Sequence, residues 1–234
     1  MFKKNYFWSL KKFFHRFIVS ISKIVFGKNI THRSKIAKRL LRFYILLLEN
    51  ISPYRVKQRS YEARNPDMPW LVPQAIKKIR STLKESDIGF EWGSGKSTIW
   101  FANFVSKIYS VEGREEWYFK VLKMIKNKGL EEKVNLSYRK VINEFNFSND
   151  EIENYSKVIS EFPKNTFDFV LVDGHFRMEC LMNIKDKLKQ NGILIVDNSD
   201  VLDVDWWKPY TNSEPIKYTN GIWETTLLKY NYSL

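Results

Sequence analysis

Apolar positions in the first fifty residues recur with a helical period. Phe13, Phe14, Phe17, Ile21, Ile24 and Val25 share one face, with Lys12, Arg16 and Lys23 opposite. A second stretch sets Lys35, Lys38, Arg39 and Arg42 against Ile36, Leu40, Leu41, Tyr44 and Leu47. The period breaks over 51–71, where Pro53, Pro66 and Pro69 stand among polar residues, and this segment reads as a linker or lead-in. Beyond it, short apolar runs alternate with amphipathic ones. The pattern predicts a helix at 72–84, then a strand at 88–92 entering a glycine turn. A helix at 97–105 leads to a strand at 107–111 ending in Glu112. A helix at 115–128, stopped by Gly129, precedes a strand at 134–138 and a polar helix at 148–161. An apolar strand at 167–172 ends in Asp173, a helix spans 178–190, and a strand at 192–196 ends in Asp197. Two late segments, around 214–219 and 225–230, read as terminal strands. Strands separated by helices of roughly 10–15 residues indicate βαβ units and a parallel sheet. The predicted class is therefore α/β: a doubly wound, mostly parallel sheet over 72–234, preceded by an amphipathic helical arm over 1–50.

Charge divides the chain the same way. The 234 residues carry a net +13. Residues 1–64 hold 16 Lys/Arg against Glu49 and Glu62, a balance of +14, while the rest hold 23 basic and 24 acidic residues, −1. A basic arm on a near-neutral body weakens any whole-molecule argument for nucleic acid. Neither amphipathic stretch reaches 18 uncharged residues, so neither is expected to span a bilayer. Lys11, Lys12 and Arg16 interrupt any secretory apolar core. Basic amphipathic helices with Phe and Trp suit an anionic membrane surface, contacted through residues 1–48. A hairpin packed on the body satisfies the same pattern. The expected location is cytoplasmic, peripheral on the inner membrane face. A single cysteine, Cys180, fits a reducing compartment and leaves no Cys cluster for zinc. The three histidines are too scattered for a His-rich metal centre.

In an open α/β sheet, ligands bind outside the carboxyl ends of the strands. Acidic residues mark four of those ends: Glu91, Glu112, Asp173 and Asp197. The turn Gly93-Ser94-Gly95-Lys96-Ser97-Thr98 imitates a phosphate-binding loop. That loop needs a glycine where Phe90 stands, and Glu91 would put a carboxylate into an anion nest. The dinucleotide spacing GxGxxG also fails, because Thr98 takes the third glycine's place. A carboxylate before a glycine turn instead suits a cationic ligand group, with glycines allowing close backbone approach. Glu112 lies 19 residues beyond Gly93, near the ~20 that places an acid on ribose hydroxyls.

The ordered segments FEWGSGKSTIWFA, YSVEGREEWYFKVL, FDFVLVDGHFRMECL and GILIVDNSD resemble the successive motifs of class I S-adenosylmethionine-dependent methyltransferases. The resemblance runs from about Asn65 to the C-terminus. It is strongest to bacterial members of unassigned substrate, some linked to surface-polysaccharide biosynthesis. It implies a Rossmann-like domain and S-adenosylmethionine as cofactor. It also implies cofactor-binding roles for Glu91, Trp92, Gly93, Ser94, Gly95, Ser97, Thr98, Glu112, Gly113, Trp117 and Asp173. Glu91 would serve the methionine ammonium side, Glu112 the ribose, Trp117 the adenine side, and Asp173 the methyl group or the acceptor. The chain departs from the family after its third strand, where Arg139-Lys140-Val141-Ile142 replaces an acid that holds the adenine amine.

On the acceptor side, Asp173, His175 and Arg177 are the candidate catalytic set. His175 has the pKa range of a proton acceptor, and Arg177 the fork that holds a phosphate or carboxylate. Asp173, Asp197 and Asn198 form a hard-oxygen set suited to a divalent cation, similar to the cation-dependent O-methyltransferases. The same residues also suit a turn closed by side-chain bonds to backbone, and that reading is favoured over a metal. Trp206-Trp207 suit either a substrate wall or the core. The expected activity is O-methylation of a glycan, lipid-linked or small-molecule hydroxyl. The rival readings are an RNA methyltransferase gripping through the arm and an inactive scaffold.

Overall fold

The computed structural model describes residues 53–141 and 147–231, so the amphipathic arm expected at 1–50 lies outside the described residues. The described residues fall into two compact units. One holds α1 (Pro53–Arg64) together with Thr219–Trp223, and the other spans Asp67–Tyr218 and resumes at Glu224. The helix α1 occupies most of the segment read as a linker or lead-in over 51–71. Pro53 stands at the first helical position, where its missing N–H costs nothing, and no Gly or Pro follows until Pro66, beyond the helix end. Within this unit Gln58 Nε2 donates to Glu62 Oε1 at 3.0 Å, and Asn220 Nδ2 donates to Gln58 Oε1 at 3.1 Å. No helix among the described residues is long and apolar enough to cross a membrane.

The larger unit is an α/β sheet. Its elements are α2 (Pro73–Arg80), β1 (Ile88–Trp92), α3 (Lys96–Ala102), β2 (Lys107–Glu112), α4 (Glu115–Lys128), β3 (Val134–Tyr138) and α5 (Asn149–Ser156). A 3-10 turn (Lys157–Glu161) leads to β4 (Phe167–Val172), α6 (Arg177–Met182) and β5 (Leu188–Asp197). A second 3-10 turn (Ser199–Val201) precedes β6 (Ile216–Thr219) and β7 (Glu224–Lys229). The strand order is β3-β2-β1-β4-β5-β7-β6. The first five strands pair in parallel, and β7 runs antiparallel to β5.

Local chemistry accounts for the helix limits. Pro73 opens α2, which buries Ala75, Ile76 and Ile79 and leaves Lys77, Lys78 and Arg80 for its last turn. Gly129 ends α4 in the left-handed region, φ 63°, as the sequence predicts. Ser148 and Glu151 form a reciprocal capping box at the start of α5. The core lies against β1, β4 and β5, where Phe90, Trp92, Phe167, Val170, Val172, Leu194 and Val196 are buried with Tyr155 and Leu181.

The helix expected over 178–190 is shorter. Cys180, Leu181, Ile184 and Leu188 have the spacing of a helical face, yet α6 stops at Met182. Asp186 then turns left-handed, φ 66°, and Leu188 joins β5 opposite Phe167. A register shift in that pairing absorbs the extra residues, with Asn191 also left-handed. Pairing with β4 has overridden a helical period. The helix expected at 97–105 ends at Ala102, and the one at 148–161 splits into α5 and a 3-10 turn.

Candidate active site

The strand order reverses between β1 and β4, and there the turns that follow them touch. Gly93 has φ +92°, and a Cβ built on it would stand 2.7 Å from Gly174 N. A Cβ on Gly174 would stand 2.0 Å from Tyr155 Oη and 2.9 Å from Gly93 N. Only glycine fits at either place. Gly93 N also donates to Val111 O at 2.9 Å, and Asp173 N to Trp92 O at 2.9 Å. This is the topological switch point, where an α/β sheet offers its crevice.

On the β1–β2 side two carboxylates hold the turn. Glu91 is fully buried. Its Oε1 accepts from Ser110 Oγ at 2.8 Å and from Thr98 Oγ1, which itself accepts from Gly95 N at 2.9 Å. Its Oε2 is buried without a partner. Burial pushes the carboxyl up to about 7, with the Thr98 and Ser110 bonds acting in the other direction. Glu112 Oε1 accepts from Gly113 N at 2.9 Å and Arg114 N at 2.8 Å, and its Oε2 accepts from Ser94 Oγ at 2.9 Å. Trp117 Nε1 donates to Ser94 O at 2.6 Å, so β2 and α4 both grip the glycine turn. Lys120 Nζ stands 4.2 Å from the Trp117 ring centroid.

The other predicted residues here act from beneath. Ser97 and Thr98 are buried around Glu91. The Trp92 side chain lies wholly in the core and donates to Tyr155 O at 3.0 Å, so only its backbone borders the turn. Gly95 faces Trp117, with 3.7 Å between its built Cβ and the indole nitrogen.

On the β4–β5 side, Arg177 binds across two strand ends. Its Nη2 donates to Asp173 Oδ1 at 3.2 Å, to Asp173 O at 3.3 Å and to Asn198 Oδ1 at 2.9 Å. Burial pushes the Asp173 carboxyl up to about 6, while the guanidinium opposes that shift. Asp197 is buried and accepts from Thr225 Oγ1, which in turn accepts from Val72 N at 3.0 Å. Burial, together with the Asp173 charge, holds the Asp197 carboxyl well above the usual carboxylate range.

The structure divides the candidate catalytic set. His175 turns towards β2: a Cβ built on Gly113 would lie 2.8 Å from His175 Cδ2, and the Tyr155 ring stands 5.7 Å away. Arg177 turns towards β5. Between them Phe176 is left-handed, φ 51°. Asp173 therefore keeps company with Arg177, and His175 lines the side of Glu112 and Gly113. Trp206 is buried in the core and Trp207 packs against it. Among the described residues no group of three or more His, Cys, Asp or Glu stands close enough to hold a metal ion.

Ser110, Thr225 and Tyr155 were not singled out from the sequence. Ser110 interrupts the apolar run of β2, and Thr225 sits in a late strand beside an apolar one. Either polar insertion in a buried strand was a usable signal. Tyr155, in a polar helix, offered none.

No family model and no curated protein sequence matches the chain. Among solved structures, a methyltransferase-like protein from Silicibacter pomeroyi is 18% identical, with a TM-score of 0.55 over 69% of this chain and 88% of that one. A SAM dependent methyltransferase from Aquifex aeolicus is 16% identical, with a TM-score of 0.47 over 71% and 95%. The YcgJ protein from Bacillus subtilis is 15% identical with a TM-score of 0.40, and the chain spans about half of it, 48%. The Silicibacter likeness carries the fold: a seven-stranded, mostly parallel sheet of the class I methyltransferase type.

Proposed function

We propose that this chain is an S-adenosylmethionine-dependent methyltransferase acting on a hydroxyl group. The observation that carries the reading is the meeting of the Gly93 and Gly174 turns at the switch point, flanked by Glu91, Glu112 and Asp173. The residues on the β1–β2 side fit the cofactor. Glu91 offers an unpartnered buried oxygen beneath the turn, suited to a cationic ammonium reached through the turn. Three of the roughly four lone-pair sites of Glu112 are taken, so a ribose diol takes the fourth and displaces the Ser94 hydroxyl. His175 and Trp117 wall this side.

S-adenosylmethionine supplies a methyl group on a sulfonium, and the protein's task is chiefly to hold acceptor and methyl in line. Asp173, ionised above about pH 6, stands at the acceptor side to take the hydroxyl proton. The arm's charge of +14 over residues 1–64 supports an acceptor at an anionic membrane surface, a glycan or lipid-linked hydroxyl. Two measurements test these levels separately. Isothermal titration with S-adenosylhomocysteine should show micromolar binding in the wild type that is lost in Glu112→Ala, and no wild-type binding would refute the cofactor. Flotation with vesicles containing phosphatidylserine should retain the full chain, and equal retention by neutral vesicles would refute the surface.

A further inference from the structure

The arrangement around Arg177 goes beyond the general reading and rests on it. Asp173 and Asn198 end neighbouring parallel strands, and their side-chain oxygens converge on one nitrogen, Arg177 Nη2, at 3.2 and 2.9 Å. With Asp197 beside them, these are the oxygen donors that chemistry would offer a hard divalent cation. A guanidinium already ties two of the three. It uses a single nitrogen to do so. Among the described residues Nη1 has no acceptor, and Nε is buried without one. The side chain is 23% exposed, so it is neither sealed in the core nor loose in solvent.

We propose that Arg177 is the resident cation of the acceptor side, joining Asp173 to Asn198 through Nη2 and presenting the unbonded N–H groups of Nη1 to an oxyanion carried by the acceptor. The acceptor is then a hydroxyl compound that also bears a carboxylate or a phosphate. The charge balance fits such a guest. Asp173 is paired with Arg177, so its charge does not stand alone against an incoming oxyanion. Arginine suits the place better than lysine, because a planar fork can keep Nη2 on the strand ends and offer Nη1 outward.

The inference is tested on the full-length protein with and without S-adenosylhomocysteine. Inorganic phosphate and sodium acetate are titrated against wild type, Arg177→Lys and Arg177→Gln at matched ionic strength. Wild type should bind one of the two about tenfold more tightly than Arg177→Gln, with Arg177→Lys between them. A preference for phosphate marks a phosphorylated or lipid-linked acceptor, and a preference for acetate marks a carboxylated one. Equal binding by wild type and Arg177→Gln would overturn the oxyanion site.

A second arm needs no cofactor. Removing the guanidinium frees the strand-end oxygens, so Arg177→Ala should acquire a Mn²⁺ site, visible by electron paramagnetic resonance, that wild type lacks. A residue that merely stabilises the fold would confer no such gain. Equal Mn²⁺ binding by wild type and Arg177→Ala would overturn the resident-cation role. Absence of S-adenosylhomocysteine binding would remove the methyltransferase reading while leaving the Mn²⁺ result decisive for Arg177.

Discussion

The two sides of the switch point handle buried acids in different ways. On the β1–β2 side, hydroxyl and backbone N–H groups surround the carboxylates. Glu112 takes two backbone amides and a serine, and Glu91 takes a serine and a threonine. Among the described residues no lysine or arginine bonds to either acid, and both belong to a turn gripped from several directions. On the β4–β5 side the acids meet a cation and each other. Asp173 is paired with Arg177, and burial with the nearby Asp173 charge raises the Asp197 carboxyl. Fixed dipoles on the first side make a cradle ready for a ligand bearing its own positive charge and hydroxyls. The second side has its cation built in and suits a negatively charged guest. Opposite charge preferences a few residues apart are what the proposed transfer from a cationic donor to an oxygen acceptor would require.

Substitutions that break or sharpen this contrast can be ranked by size. Gly174→Ala removes the junction itself. Its Cβ would meet the fully buried Tyr155 at Oη, 2.0 Å away, so a stability loss of about 3 kcal/mol is expected in denaturant melts, with both sides impaired. Glu112→Ala acts on one side. It leaves two amides and the Ser94 hydroxyl without their acceptor, so stability should fall by roughly 2 kcal/mol. S-adenosylhomocysteine binding should be lost while oxyanion binding at Arg177 persists in the protein that remains folded.

Glu91→Gln separates the two sides by pH. The folded Glu91 carboxyl titrates at about 7 against an ordinary 4.5, so the folded state favours the protonated acid. Its contribution is fully present below 4.5 and is lost as pH rises to about 7. Glutamine abolishes that loss, and the variant should gain on the order of 1–2 kcal/mol relative to wild type above pH 7. The fall due to Asp173, between 3.8 and about 6, should remain in the same melts. The smallest change is Ser148→Ala, which breaks the α5 capping box away from both carboxylate groups. It should cost about 1 kcal/mol in melts and leave both ligand titrations unchanged.

Much of the sheet was legible because its signals are local. Apolar runs over β1 and β4 and the alternating segment of β3 are bounded by polar or glycine residues, and their predicted limits coincide with the observed strands. The strand-end acids were legible for the same reason, since each follows an apolar run directly. The helix expected at 178–190 misled because Leu188 completes a helical face in sequence while Phe167, far away in the chain, recruits it into β5. The partition of His175 from Arg177 was invisible too. It depends on the left-handed Phe176 between them, held by ring contacts to Tyr155 and Phe147 that no spacing rule foretells. Residue types revealed the candidate chemistry, and long-range packing decided which side each residue serves.

The backbone contact between Gly93 and Gly174 also has a thermodynamic meaning. Two loops that touch through main chain cannot shift independently, so an occupant that settles one turn restricts the other. Such coupling is reciprocal by necessity: whatever factor the first ligand adds to the affinity of the second, the second returns to the first. The pair of glycines thus makes the crevice a cooperative unit, in which the order of arrival of the proposed donor and acceptor would change the path and leave the final affinity product the same.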